Sequence, residues 1–217
     1  MGEHGEPVSH YAKPRATATQ KISEPATSDE FSSPKLGLQW QWQANHADNW
    51  HSLTACPGWL RLFPQFVHEG NLLQAPNLLL QKFPARSFVA ETILEFAAEK
   101  SGVEAGLVIA GRTCAALALR RTGNKNQIVF RHGETDEVLR EISGGRITLR
   151  VTVTDGGLCD FSFAELNHFI SVPQKFQAVA GTWIGAKLGI YTLKHDSDNS
   201  AGHADFKCFR FRPTATN

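Results

Sequence analysis

The sequence has no apolar run approaching the ~20 residues that a membrane-spanning helix needs, which excludes a helical membrane protein. Its first residues, Met1–Gln20, lack the apolar central stretch of a secretory signal. With Met1 as the true start, the expected compartment is therefore the cytoplasm. Gly2 is followed by Glu3, His4, Gly5 and Glu6, so the Ser or Thr that N-myristoylation requires is missing. No sign of charge dominates: 22 Lys+Arg stand against 21 Asp+Glu, a formal net charge of +1. A nucleic-acid binder would need clustered basic surface to neutralise phosphates, so that class is excluded. Cysteine is scarce as well. Cys56, Cys114, Cys159 and Cys208 are widely separated, unlike the close pairs of a zinc site, and a chain this long needs no disulfide framework. They are expected as free thiols packed as small hydrophobes.

Helical periodicity is missing too. From Asp29 to about Pro213 the sequence offers short alternating runs instead. Leu36, Leu38, Trp40 and Trp42 are expected on one face of a strand, with Gly37, Gln39, Gln41 and Gln43 on the other. Further strands are expected over 59–63, 87–96, 105–110, 114–121, 127–131, 138–142, 146–154, 158–163, 183–193 and 204–212. Asp155-Gly156-Gly157 between two of them is a hairpin signal. Only Ala164–Phe169 reads as a possible helical turn. Such spacing with Gly-rich turns specifies an all-β fold, an antiparallel β-sandwich, rather than alternating strands and helices. Residues 1–28, with Pro7, Pro14 and Pro25 among small polar residues, read as a linker tail. Residues 29–213 are the sandwich, and 214–217 a C-terminal tail.

No self-contained catalytic pattern emerges. Glu134 and Asp136 would share a strand face, but Val138 follows on that face, and the segment reads as a solvated loop. Asp155 is explained by its turn, and Asp160 and Glu165 have no deducible relation. There is no HExxH, no GxSxG and no Gly-rich phosphate loop between a strand and a helix. Asp196–Gly202 has the acidic spacing of a calcium loop, but its glycine comes one place late and Lys207 stands at the twelfth position, so a polar surface loop accounts for it better. A second calcium arrangement would join Asp29 or Glu30 at the start of the domain to Asp205 in the last strand. Among the aromatics, Trp40 and Trp42 are expected in the core, Trp50 exposed among polar neighbours, and Trp183 between core and rim. Exposed tryptophans could stack on sugar rings.

Several segments in order carry a family resemblance. Ser28-Asp29-Glu30-Phe31, Leu36-Gly37-Leu38-Gln39-Trp40-Gln41-Trp42, Trp50-His51-Ser52-Leu53 and Pro57-Gly58-Trp59-Leu60-Arg61-Leu62 are the first. Leu78-Leu79-Leu80-Gln81-Lys82-Phe83, Ala105-Gly106-Leu107, Trp183-Ile184-Gly185-Ala186-Lys187-Leu188-Gly189 and Ala204-Asp205-Phe206 follow. Over about residues 28–212 the chain resembles the C-terminal concanavalin A-like domain of glycoside hydrolase family 43 β-xylosidases and α-L-arabinofuranosidases. Gly5-Glu6-Pro7-Val8 resembles the junction with the catalytic domain. The resemblance implies a sandwich that packs on a catalytic β-propeller holding the acids, none of which can be carried onto these residues. It also implies a loop aromatic near the substrate, here Trp183 or Phe176, and contact with xylan or xylo-oligosaccharide. A structural Ca²⁺ is implied at Asp29, the Gly58 carbonyl and Asp205. Lys207 stands where the family often has a further acid, on the same strand face as Asp205. An uncovered propeller-facing patch would favour self-association into a homo-oligomer. The rival expectations are a free-standing lectin-like carbohydrate-binding domain and, more remotely, a complete small glycosidase acting through Glu134 and Asp136.

Overall fold

A computed structural model describes residues 4, 10, 12, 24–133, 135–166, 168–197 and 202–214. Its described residues form two antiparallel sheets packed face to face. The first holds β1 (Gln41–Trp42), β5 (Leu79–Lys82), β14 (Lys187–Lys194), β7 (Val103–Ala110), β8 (Cys114–Thr122), β9 (Lys125–His132) and β10 (Thr135–Ile142), in that spatial order. β4 (Gln65–Phe66) joins it by a short parallel pairing with the end of β14. The second sheet runs β13 (Ile170–Gln177), β12 (Leu158–Ala164), β11 (Arg146–Thr154), β6 (Phe88–Ala98), β15 (Gly202–Pro213), β3 (Leu60–Leu62) and β2 (His51–Ser52).

Alternation explains the core. Phe88, Ala90, Leu94 and Phe96 of β6 face Leu107, Leu117, Phe130 and Ile190 of the other sheet, and all are buried. At Asp155–Gly157 the hairpin between β11 and β12 forms as expected, with Gly156 and Gly157 both at positive φ (88° and 83°). β7 is buried along its whole length, and β8 over Cys114–Leu119, because both of their faces are covered. A second apolar cluster lies on the outer face of the first sheet. There Leu80, Val108, Ala116, Ala118, Val129 and Tyr191 pack under Val67, Leu72, Ala75 and Leu78 of the segment between β4 and β5.

Three expectations need correcting. Residues 36–43 are not one long strand: Trp40 N–H bonds the Gly37 carbonyl in a turn, which leaves Leu38 fully exposed and only 41–42 paired. Ala164–Phe169 is no helical turn, since Ala164 ends β12 and 165–166 are a bend. The run expected over 183–193 begins only at Lys187, while β13, not among the expected strands, holds Pro173 and is an edge strand. An edge tolerates the missing N–H of proline.

Candidate functional site

Loop 178–186 connects the edge strand β13 to the interior strand β14, so it crosses one end of the sandwich. It is anchored on both sides. Arg112 N–H bonds the Val179 carbonyl, and Phe83 N–H bonds the Ala186 carbonyl. A Cβ on Gly111 would lie 1.8 Å from the Val179 oxygen, so glycine is required for this close approach. Between the anchors Trp183 is 93% exposed, accompanied by the exposed Val179 and Ile184. A tryptophan with nearly its whole ring in water forfeits the burial its size normally secures, so this loop is the strongest contact candidate.

Trp50 and Phe176 stand elsewhere. Trp50 is half-buried, edge-on to Trp42 at 5.7 Å, in a cluster where Trp42 also stacks on His46 and tilts against His51. Burial, followed by the neighbouring His46, lowers the pKa of His51 in this cluster. Phe176 is 8% exposed within the core, so the expectation that it contacts substrate is corrected. Alternation along β13 turns it inward. Trp40 lies in the core as expected, and Trp42 is packed against it.

The residues expected to bind calcium do not fit the ion. Asp29 bridges to Phe209 of β15, and its carboxylate accepts from Phe31 N–H at 2.8 Å and the Trp40 indole at 2.9 Å. Asp205 lies four residues away along β15 on the outer face, in a bidentate pair with Arg61 at 2.8 and 2.7 Å. At ~3.3 Å per residue that separates the two acids by roughly 13 Å. The Gly58 carbonyl accepts from the Lys207 ammonium at 3.3 Å. Lys207 also approaches the Trp59 ring, 5.2 Å from its centroid. Side-chain cations of the chain itself thus stand against two of the three expected ligands. Among the described residues, no group of three or more His, Cys, Asp or Glu side chains could hold a metal.

The carboxylates considered for catalysis are also engaged. Glu134 lies outside the described residues, as do Asp198, Asn199 and Ser200. Asp136 accepts from Arg131 Nε at 2.9 Å and pairs with Arg120. Asp160 pairs with Lys175, Glu165 with Arg140 and Asp155 with Arg86.

Sequence reasoning missed the buried polar cluster behind Asp136. Glu104, completely buried, interrupts the apolar run of β7 and binds Arg131 (2.9 Å), Arg120 (2.7 Å) and the Tyr191 hydroxyl. Burial alone would raise its pKa. His195, Arg131, Arg120 and Tyr191 outweigh that and hold it well below the usual carboxylate range. Arg131 Nη2 also donates to the Gly70 carbonyl at 2.9 Å, tying the segment that covers the sheet to β9. A lone Glu inside an apolar strand was the available signal, because a buried charge needs a partner. Glu104 is held by three side-chain hydrogen bonds within the chain, which marks a structural network.

Comparison with known proteins decides what the sandwich belongs to. Residues 28–212 match the family described as the beta xylosidase C-terminal concanavalin A-like domain. The chain belongs to that family. This xylosidase-type domain is 27% identical over 95% of its length to a beta-xylosidase of Formosa agariphila, 38% of which it covers. It is 24% identical over 98% of its length to the non-reducing end alpha-L-arabinofuranosidase BoGH43B of Bacteroides ovatus, covering 42% of that protein. Among solved structures, the GH43 protein BlXynB of Bacillus licheniformis aligns with a TM-score of 0.75 at 22% identity, over 90% of this chain and 40% of that one. The domain therefore spans about two-fifths of the length of these relatives.

Proposed function

We propose that this chain is the accessory β-sandwich module of a family 43 glycoside hydrolase of β-xylosidase or α-L-arabinofuranosidase type, active in hemicellulose breakdown. It packs on a catalytic β-propeller domain, and loop 178–186 is the contact. The observation that carries this reading is a family domain presenting Trp183 almost wholly to solvent beside Val179 and Ile184, on a loop hydrogen-bonded to its neighbours at both ends. That arrangement suits burial against another domain. Trp183 is the aromatic placed to reach the rim of the partner's xylo-oligosaccharide pocket. Membership of relatives that are xylosidases and an arabinofuranosidase supports the substrate class.

Mixing this chain with the separately produced catalytic domain of the F. agariphila beta-xylosidase tests the reading by light scattering behind size exclusion. A one-to-one complex is expected, weakened by Trp183→Asp. The chain alone should not turn over nitrophenyl β-xyloside. Turnover by the purified chain, or a complex indifferent to Trp183→Asp, would overturn the proposal.

A further inference from the structure

A cleft of about 650 Å³ lies on the outer face of the first sheet, between β8, β9 and β10 and the segment that covers that face. Its two sides belong to one surface. Asp136 of β10 stands directly opposite Arg131 of β9, and Arg131 opposite Ala116 of β8, a member of the outer apolar cluster. Leu72 of the covering segment packs in the same cluster, and its neighbours Glu69, Asn71 and Leu73 line the other wall. Gly70 fixes that segment: its carbonyl accepts from Arg131, and a Cβ there would lie 2.3 Å from the His195 ring. The volume lies within the range of small-molecule sites, ~300–1,000 Å³.

The floor is balanced in charge and open in hydrogen bonding. Arg120 and Arg131 stand against Glu104 and Asp136, so the floor itself calls for no ionic ligand. Glu104 is completely buried, while the Asp136 side chain is 33% exposed. Each Asp136 oxygen accepts one guanidinium N–H, whereas a carboxylate offers about four acceptor positions. The Asn71 side-chain oxygen accepts from Leu73 N–H at 3.0 Å, and its amide N–H groups have no partner among the described residues. The exposed Thr113 hydroxyl, at the β8 end of the cleft, also has none among them. Leu73, 47% exposed, adds an apolar surface. Donors, acceptors and an apolar patch on one concave surface suit a neutral sugar, whose hydroxyls both donate and accept and whose ring carries a C–H face.

Glu69 gives an independent sign. Its backbone is left-handed (φ 53°), a conformation costly for a residue with a Cβ, and Gly70 follows at φ 63°. Gly70 has a packing reason in His195. Glu69 has none of that kind: its side chain is 84% exposed, and its one ion-pair contact among the described residues is His68, at 4.0 Å. A strained carboxylate kept at the mouth of a cleft points to use by a ligand.

We propose that this cleft is a non-catalytic site for a neutral pentose oligosaccharide, whose hydroxyls donate to Asp136 and Glu69 and accept from Asn71 and Thr113 while a ring lies on Leu73. The class of sugar rests on the family 43 reading above. The site is distinct from Trp183, although Thr113 follows Arg112, which anchors loop 178–186 at Val179. Calorimetric titration of the whole chain with xylotriose tests it, and saturable binding is expected below ~10 mM. Glu69→Gly should weaken binding at least ~tenfold, about 1.4 kcal/mol, with a melting temperature equal to or above that of the wild type because the left-handed strain is released. Thr113→Val should weaken it ~threefold with melting unchanged, and Trp183→Asp should leave the affinity as it is. No saturable binding, binding indifferent to Glu69→Gly, or binding lost with Trp183→Asp would overturn the proposal. So would tighter binding of xylotriose carrying a glucuronic acid branch, which a charge-balanced floor does not favour. A melting temperature lowered by Glu69→Gly would overturn it as well, assigning the carboxylate to the fold. None of these outcomes alters complex formation with the catalytic domain, which light scattering reads separately.

Discussion

Glu104→Gln removes the one fully buried carboxylate that two guanidiniums and a phenol share. In the native chain Arg131 and Arg120 reach it at 2.9 and 2.7 Å, and each also has Asp136. The variant preserves shape but leaves two cations to divide one half-buried carboxylate, and it sets an amide N–H₂ or carbonyl where a charge stood. Removing one partner of a buried pair costs about 3–5 kcal/mol. Against a typical domain stability of ~5–15 kcal/mol that is a large fraction. At ~2–4 °C per kcal/mol for a chain of this size, melting should fall by roughly 6–20 °C. Scanning calorimetry at pH 7 provides the measurement, and acid provides a second arm. Glu104 is held ionised well below its usual range in the folded state, while in the unfolded chain it protonates near pH ~4.3. Its contribution is therefore complete above that pH and shrinks as pH falls further. The gap between wild type and Glu104→Gln should narrow from pH 5 to pH 3. A melting shift under 2 °C at pH 7, or a gap that widens in acid, would refute the assignment of a charged network.

Other expectations follow from the remaining charges and the exposed loop. Asp205→Ala strands Arg61, and the loss of a bidentate charged hydrogen bond should cost ~1.5–3 kcal/mol in denaturant titration. Because Lys207 and Arg61 already stand against the Gly58 carbonyl and Asp205, added calcium or chelator should leave the melting temperature of the wild-type chain unchanged; a shift of several degrees would show that the ion binds. Burial and the facing Lys82 lower the pKa of Lys187 below its unfolded value, so wild-type stability should rise with pH toward ~10.5 as the folded state sheds that proton first. Lys187→Met should be more stable at pH 7 and lack that rise, as seen in chemical denaturation across pH 7 to 10. Uncovered Trp183, Val179 and Ile184 should drive concentration-dependent self-association in sedimentation, and Trp183→Asp should abolish it.

The calcium expectation fared differently from the strand assignments because it depended on where distant segments meet. Reading Asp29, Gly58 and Asp205 as one site required knowing where three distant segments meet, and they meet only in part. Asp29 is drawn inward by the Trp40 indole, while Asp205 faces outward to Arg61. Phe176 failed as a contact residue in the same way, since its exposure depended on which edge of which sheet β13 would occupy. Trp183 remains the contact candidate because its loop, which ends at Lys187 where β14 pairing begins, leaves the side chain almost wholly exposed.

Local alternation and turn chemistry dictate the all-β class, the β11–β12 hairpin at Asp155–Gly157 and the strand Arg146–Thr154, because a period of two and a left-handed glycine are properties of neighbouring residues. Pairing between remote strands is not such a property. Only the assembled sheets set Glu104 among Arg120, Arg131 and Tyr191, and only they bring Lys82 opposite Lys187. Which strand lies beside which is settled by the joint burial of all faces at once, a sum over the whole chain that no segment carries alone.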